Sequence, residues 1–234
     1  MSKLLDINNT LDLIKLRFYN EWLYNVSNYD DDDGQMHKVL TEQVVKTYVD
    51  PLNLETDANI LDIGSGAGYF LDEMTSRGFT SVTGITLSHQ QAESCRERGH
   101  TVQIHDMSFL HQTAGWIDES VDFIFLRHTL EHSPYPIFTL MEYNRVLKQG
   151  ARIYIEVPAP DCDRKHEYNN GVYSIFGASQ LAALLMKTGF DVEIFNNFEF
   201  DIQTSESEDS ESTKEYKEKY YSIIAKKARP LDIK

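Results

Sequence analysis

Apolar positions recur with two different periods along the chain. In the first 50 residues, apolar side chains such as Phe18 and Trp22 fall at helical spacing. From residue 59 onward, short apolar runs alternate with amphipathic segments, a pattern typical of strands that alternate with helices. The sequence therefore predicts an N-terminal helical segment over residues 1–50 and one α/β domain over residues 51–234.

The α/β region contains seven candidate strands and four candidate helices. Each candidate strand is a short apolar run, and the seven runs cover residues 59–63, 81–85, 101–105, 121–126, 151–157, 191–195 and 218–225. Each candidate helix is amphipathic and ends near a glycine that suits its C-terminus, and the four helices cover residues 69–77, 88–98, 136–147 and 178–188. This order predicts a doubly wound, seven-stranded, mostly parallel sheet with helices on both faces.

Two acidic segments interrupt this pattern. Residues 30–33 are four consecutive aspartates, whose mutual repulsion predicts a solvated loop. They lack the alternating ligand positions and the distal glutamate of a calcium-binding loop. Residues 201–213 contain five acidic residues, four serines and no basic residue, which predicts a flexible loop joining the last two strands.

The composition fits one folded unit with little attraction for polyanions. The chain has 234 residues, of which 41% are apolar, enough for one sizeable core. A formal net charge of −15 disfavours nucleic acids and anionic membranes as partners. Because much of this charge lies in the two acidic segments, the exclusion of nucleic acid also rests on the absence of a basic stripe.

The number of cysteines and the lengths of the apolar runs bear on where in the cell the protein is expected. The two cysteines, Cys95 and Cys162, are too few for a disulfide framework and are expected to be free thiols. The N-terminus has no apolar core of signal-peptide length, and no run is long enough for a transmembrane helix. The expected location is the cytoplasm.

The strongest chemical signal is a glycine-rich turn between the first strand and the helix that follows it. The stretch Asp62-Ile63-Gly64-Ser65-Gly66-Ala67-Gly68 lets the backbone approach a ligand closely at a helix N-terminus. A dinucleotide fingerprint would need its third glycine at the position of Tyr69, and the Asp62 carboxylate would repel a pyrophosphate. The same carboxylate can pair with an ammonium group, so the turn favours a nucleoside that carries an amino-acid tail. A nicotinamide-dependent oxidoreductase is the disfavoured alternative.

Four further motifs follow the glycine-rich turn along the chain. Together with the turn, they make residues 36–227 resemble the class I S-adenosylmethionine (SAM) dependent methyltransferases. These motifs are His105-Asp106-Met107, Leu130-Glu131-His132, the Arg145-Val146-Leu147-Lys148-Gln149-Gly150 turn and the Ile153–Pro158 strand. The resemblance implies a Rossmann-like fold, SAM as cofactor with S-adenosylhomocysteine as product, and in-line methyl transfer to a small molecule. A SAM-binding regulatory protein without catalysis is the non-enzymatic alternative.

The resemblance implies a set of cofactor-binding residues. Most enzymes of this family end the second strand with an acidic residue, whereas this chain has Thr86-Leu87, which is similar to the equivalent stretch of the cyclopropane fatty-acid synthases. A simple strand-end role for Thr86 is the alternative. The implied cofactor-binding residues are Asp62, Gly64, Ser65, Gly66, Gly68, Thr86, Leu87, Gln91, Asp106, Met107 and Arg127.

Candidate acceptor residues follow the fourth and fifth strands. His128 is the first choice for a catalytic base or acceptor contact, and a backbone hydrogen bond beside the cofactor is its alternative role. The long 158–177 connection contributes His166 and Tyr168 as substrate residues, and the 1–50 helices are expected to form part of the acceptor lid. A structural role is expected for His132. His128 and His132 lie four residues apart without a matched third ligand, so no metal site is predicted.

Overall fold

The described residues of the computed structural model are 7–27, 34–110, 115–160, 162–205 and 213–231. They form six α-helices, which are α1 (Ile7–Ser27), α2 (Gly34–Val44), α3 (Tyr69–Ser76), α4 (His89–Glu97), α5 (Pro136–Val146) and α6 (Ala178–Lys187). They also form seven strands, which are β1 (Ile60–Ile63), β2 (Val82–Thr86), β3 (Thr101–Ile104), β4 (Val121–Arg127), β5 (Leu147–Pro158), β6 (Phe190–Ser205) and β7 (Thr213–Lys227). The alternation predicted for the α/β region is confirmed.

The seven strands form one sheet in the order β3-β2-β1-β4-β5-β7-β6. Strands β1 to β5 are parallel, and β7 runs antiparallel to both of its neighbours. The strand order reverses between β1 and β4, which pair from Ile60↔Phe123 to Ile63↔Leu126. In open α/β sheets, ligands bind outside the carboxyl ends of the strands at such a reversal. The predicted mostly parallel, doubly wound sheet is thus confirmed. Its strand order indicates a ligand site at the carboxyl ends of β1 and β4.

The two faces of the sheet bury separate apolar clusters. Leu61 and Leu126 pack on one face with Trp22 of α1. Ile60 and Phe125 belong to the cluster on the opposite face, where the Phe70 ring of α3 stacks on Phe125 with 3.9 Å between ring centroids. Because both faces are covered, the central strands are continuous apolar runs rather than alternating ones.

The last two strands are longer than the sequence pattern predicts. β6 and β7 pair continuously from Phe190↔Lys227 to Ser205↔Thr213, with one irregularity near Val192. The prediction of a loop over residues 201–213 is therefore wrong for residues 201–205 and for residue 213, which belong to strands. Residues 206–212 lie outside the described ranges. Aromatic packing stabilises this extension, because the Phe198 and Phe200 rings contact the Tyr220 ring across the strand pair. The aspartates predicted to form a loop at residues 30–33 also lie outside the described ranges.

Helix α1 lies beside the carboxyl edge of the sheet and is anchored there by Trp22. The Trp22 side chain is buried, and its Nε1 donates a hydrogen bond to the carbonyl oxygen of His132 at 2.8 Å. On the next turn, Asn25 Nδ2 donates to the Tyr173 hydroxyl at 3.1 Å. Within the described ranges, none of the helices combines the length and hydrophobicity that a bilayer crossing requires.

Replacing Trp22 with phenylalanine is expected to lower the free energy of unfolding by about 1–3 kcal/mol, because the buried His132 carbonyl loses a donor. Trp116→Phe is the matched control. Among the described residues, the buried Trp116 Nε1 has no hydrogen-bond partner, so its removal is expected to be neutral or stabilising. Urea denaturation of both variants measures the difference, and equal losses would contradict the role given to the Trp22 hydrogen bond.

Candidate functional site

A cavity of about 260 Å³ lies at the carboxyl ends of β1, β2 and β4. Helices α1 and α2 contribute Val26, His37 and Thr41 to its wall. Ten residues predicted from the sequence line it together, and they are Asp62, Gly64, Ser65, Gly66, Thr86, Leu87, Gln91, Met107, Arg127 and His128. The fold therefore gathers most of the predicted cofactor residues, together with the candidate base, around one space.

Four other predicted site residues lie outside the lining of this cavity. Gly68 is the left-handed residue directly before α3, with φ +81°. Asp106 is buried and accepts hydrogen bonds from the Ser108 backbone N–H at 2.9 Å and from the Tyr19 hydroxyl. His166 is paired with Glu218 at 3.0 Å, and Tyr168 is 81% exposed. Their assignment to cofactor or substrate stays a prediction.

The glycine-rich turn is held open by its backbone. The N–H groups of Gly64 and Ser65 both donate to the Ile85 carbonyl of β2, at 2.8 and 2.9 Å. Gly64 has φ +76°, and a Cβ at this position would lie 2.1 Å from Thr129 Oγ1. At Gly66, with φ +49°, a Cβ would meet only the Gly64 carbonyl oxygen, at 3.8 Å, among the described residues beyond its chain neighbours. The turn therefore packs tightly on the β4 side and leaves space on the cavity side.

Gly64→Ala is expected to disrupt this turn, because the new methyl group would overlap Thr129 in a backbone conformation that L-residues avoid. Gly78→Ala is the matched control. Gly78 has φ +86°, but among the described residues beyond its chain neighbours no atom lies within 4 Å of where its methyl group would be. We expect the control to cost about 1–2 kcal/mol of stability, the cost of a left-handed conformation for an L-residue, and Gly64→Ala to cost several times more. Thermal unfolding of both variants is the measurement, and similar losses would show that the contact with Thr129 is unimportant.

Asp62 presents a buried carboxylate at the start of this turn. The residue is 3% exposed, and burial raises its pKa to about 8. Asp62 Oδ2 and the neighbouring Ser65 Oγ are both buried without a hydrogen-bond partner among the described residues. Buried polar groups are normally paired. These two atoms, on residues that line the cavity, therefore suit a ligand that carries a cationic hydrogen-bond donor.

At the end of β2, a second polar group faces the same cavity. Thr86 Oγ1 accepts a hydrogen bond from the Ser88 backbone N–H at 3.2 Å and lies 3.4 Å from Gln91 Oε1. Ser88 Oγ caps α4 by accepting from the Gln91 N–H at 3.3 Å. The predicted pair of Thr86 and Gln91 is thus brought together at a helix N-terminus.

His128 lies between two carboxylates at the end of β4. Its Nε2 is 3.1 Å from Glu156 Oε1, and its Nδ1 is 3.7 Å from Glu131 Oε1. Burial disfavours the imidazolium, but the interactions with the two carboxylates outweigh it and raise the pKa of His128 above its usual value. The residue also has φ +50°, an uncommon conformation for histidine. The ring is therefore held in place, and its cationic form is more stable than in a free histidine.

Glu156 organises this cluster from the neighbouring strand. Its Oε1 accepts from Arg127 Nε at 2.7 Å, and its Oε2 accepts from the Tyr154 hydroxyl at 2.6 Å and from Ser222 Oγ at 3.1 Å. Although burial acts in the opposite direction, the Arg127 and His128 charges and these donors hold the pKa of Glu156 well below its usual range. Sequence reasoning gave Glu156 no role, although an acidic residue inside an apolar strand was a usable signal.

His132, which was expected to be structural, lines the cavity as well. Its Nδ1 lies 2.6 Å from the Gly171 carbonyl oxygen. A carbonyl only accepts, so this Nδ1 carries a proton, and in the neutral ring the lone pair is on Nε2. The Gly171 carbonyl thus fixes the orientation of the His132 ring.

The comparisons with known proteins agree with this geometry. Residues 34–193 match the family model described as "Methyltransferase domain". The chain is 25% identical over 178 residues to 27-O-demethylrifamycin SV methyltransferase of Amycolatopsis mediterranei, covering 70% of this chain and 65% of that protein. It is 25% identical over 185 residues to an O-methyltransferase of Aspergillus sclerotiorum, covering 74% and 70%. A crystal structure of a Bacillus halodurans protein described as a methyltransferase superposes with a TM-score of 0.65 at 16% identity, covering 80% of this chain and all of that one.

Proposed function

The chain belongs to the SAM-dependent methyltransferase family, and we propose that it transfers the methyl group of SAM to a hydroxyl of a small-molecule acceptor. The observation that carries the proposal is the buried Asp62 carboxylate, unpartnered at Oδ2 among the described residues, on the wall of the 260 Å³ cavity. The chain spans 65% of the length of the Amycolatopsis relative, so that protein's acceptor is not assigned to it.

The residues of the cavity fit SAM. Asp62 Oδ2 suits the ammonium of the amino-acid tail, because this contact would end the isolation of a buried carboxylate. The open space at Gly66 admits a ligand close to the backbone, and Thr86 with Gln91 offers polar atoms for the ribose hydroxyls. When bound, SAM supplies an electrophilic methyl group on a sulfonium.

The acceptor side of the cavity supports a hydroxyl as the nucleophile. A hydroxyl needs a base as it attacks, and four histidines line the cavity, which are His37, His105, His128 and His132. We assign the removal of the acceptor proton to His132, whose ring lines the cavity and is oriented by the Gly171 carbonyl, 2.6 Å from Nδ1. The curated relatives reported above are named for O-methylation, which agrees with this chemistry.

The prediction that His128 is the base now competes with this role for His132. His128 Nε2 lies 3.1 Å from Glu156 Oε1 and its Nδ1 lies 3.7 Å from Glu131 Oε1, so both ring nitrogens face carboxylates and the ring is better suited to donate a hydrogen bond than to accept a proton. In this proposal, His128 orients the acceptor, and His132 removes its proton.

Calorimetry and a transfer assay test the proposed function. We expect SAM and S-adenosylhomocysteine to bind and NAD not to bind. Incubation with methyl-labelled SAM and a panel of phenols, sugars, amines and carboxylates should label the hydroxyl acceptors. Labelling confined to amines would overturn the hydroxyl assignment, and SAM binding without transfer to any class would favour the regulatory alternative. None of the relatives reported above is named as an oxidoreductase.

The remaining expectations concern partners and location. A small-molecule acceptor agrees with the named O-methyltransferase relatives. The cytoplasmic location and the exclusion of nucleic acid rest on composition and charge, and they stay predictions.

A further inference from the structure

Three potential metal ligands converge outside the methyl-transfer cavity. Cys162 and His166 lie on the connection that follows β5, and Glu218 lies in β7. Cys162 Sγ is 3.2 Å from Glu218 Oε2, His166 Nε2 is 3.0 Å from the same oxygen, and the three ligand atoms all lie within 4.8 Å of one another. We propose that this Cys162–His166–Glu218 cluster binds a zinc ion.

Three hydrogen-bond donors converge on one carboxylate oxygen of this cluster, and that arrangement favours a bound cation. Glu218 Oε2 receives hydrogen bonds from the Cys162 thiol, the His166 ring and the Tyr220 hydroxyl, the last at 3.0 Å. A carboxylate oxygen has two lone pairs, so three donors exceed what it satisfies well. Cys162 and Glu218 are both 1% exposed, so water has little access to this oxygen. A bound cation would replace the thiol and imidazole protons that now converge there.

The ligand types select zinc. Thiolate, imidazole and carboxylate are the usual zinc ligands, whereas magnesium and calcium prefer oxygen alone. Bonds of about 2.0–2.3 Å in a tetrahedron separate the ligand atoms by about 3.3–3.6 Å. The two separations from Glu218 Oε2, 3.0 and 3.2 Å, need to widen by only a few tenths of an ångström, and the third, between Cys162 Sγ and His166 Nε2, lies within 4.8 Å.

The charges and protons balance. Zinc binding releases the Cys162 thiol proton to solvent and places the proton of a neutral His166 ring on Nδ1, so that Nε2 can bind the metal. One thiolate and one carboxylate then neutralise the two positive charges of the ion. A solvent molecule takes the fourth tetrahedral position on the side of His166, the most exposed of the three ligands. Arg164 Nη1 lies 3.8 Å from Glu218 Oε1, the carboxylate oxygen that the thiol and imidazole do not contact.

The zinc ion would fasten the connection after β5 to the sheet. Backbone contacts already align the two, since the N–H groups of Ala159 and Asp163 donate to the Lys219 and Lys217 carbonyls at 2.9 and 3.0 Å. The same connection carries Gly171, whose carbonyl orients the His132 ring. None of its three ligands lines the cavity, so the ion would act as a structural clamp outside it and would replace the substrate contact predicted for His166.

Cobalt substitution tests the site directly. We expect one equivalent of Co²⁺ added to the metal-free protein to produce intense visible bands typical of tetrahedral coordination and a near-ultraviolet thiolate charge-transfer band. Zn²⁺ should abolish both in competition. The matched variants are Cys162→Ser and Cys95→Ser, because both cysteines are buried but only Cys162 belongs to the cluster.

The charge-transfer band should be absent in Cys162→Ser and unchanged in Cys95→Ser. Glu218→Gln, which retains an acceptor for the surrounding donors, should bind Co²⁺ about tenfold more weakly or worse. Absence of a tetrahedral spectrum in the unaltered protein would overturn the proposal, whether or not the variants fold. Binding that persists unchanged in Cys162→Ser would also overturn it, because it would place the metal elsewhere.

Discussion

Asp62→Asn is expected to weaken SAM binding by about 10- to 100-fold. A hydrogen bond to a charged group contributes about 1.5–3 kcal/mol, and the asparagine amide retains the shape of the side chain but loses its charge. Isothermal titration calorimetry measures the change. Asp191→Asn is the control, because Asp191 is exposed on β6 and should leave the affinity unchanged.

The same substitution is expected to stabilise the ligand-free protein. The pKa of Asp62 is about 8 in the folded chain and about 3.9 when unfolded. The native state therefore prefers the protonated carboxyl, and this preference favours folding fully below about pH 4 and is lost as the pH rises through about 8. The gain in Tm of Asp62→Asn over the unaltered protein should grow between pH 5 and pH 8. A loss of Tm that is independent of pH would contradict a buried, unpaired carboxylate.

SAM affinity should also pass through a maximum near pH 8. Below this pH, binding must remove the proton from Asp62, so affinity rises with pH. Above it, the α-amino group of SAM, with a typical pKa of about 7.7–8.0, must regain a proton. Calorimetry in buffers of different ionisation enthalpy should show close to one proton released at pH 6.5. That release should be absent in Asp62→Asn.

His132→Asn is expected to lower kcat by about 100- to 10,000-fold, the range that general-base catalysis contributes. The asparagine amide can still donate to the Gly171 carbonyl, as His132 Nδ1 does, so the local structure is preserved. SAM affinity should change little, because the proposal gives His132 no contact with SAM. Steady-state kinetics and calorimetry on the same preparation separate these two effects.

A second readout distinguishes a base from a positioning residue. An acidic phenol depends less on a base than a weakly acidic alcohol does, so the kcat loss should shrink as the acceptor becomes more acidic. His128→Gln, whose amide can replace His128 Nε2 at Glu156, should show a smaller loss that is independent of acceptor acidity. If His128→Gln shows the acidity-dependent loss instead, His128 is the base, as the sequence predicts.

The sheet and the cofactor turn were predictable because their signals are local. Apolar runs mark β1 and β4, and the glycines between Gly64 and Gly68 fall where the backbone takes positive φ. The β6–β7 extension was missed because its cause, the packing of Phe198 and Phe200 on Tyr220, joins distant residues. The acidic residues between the two strands led to the prediction of a loop there.

The charge environment of His128 was unpredictable for a similar reason. Glu156 is 28 positions away in the sequence and reaches His128 only through the parallel register that places Arg127 beside Glu156. The partner of His166 is Glu218, on a strand whose full length the pattern did not show. Sequence spacing identified candidate histidines, whereas their protonation and partners depend on tertiary contacts.

Strand β6 forms one edge of the sheet, with β7 on its inner side. The backbone groups of an edge strand offer a template for a second chain, which makes long edges prone to aggregation. Here the exposed positions include Asp191, Glu193, Glu199 and Asp201. Charged side chains on an edge strand disfavour its pairing with a second chain, although Glu193 is paired with Arg152 and Glu199 with Lys219 of the same sheet. Protonation of these carboxylates in acid would reduce that protection and leave the edge more open to self-association. The acidity that argues against nucleic acid as a partner therefore also guards the edge of the sheet.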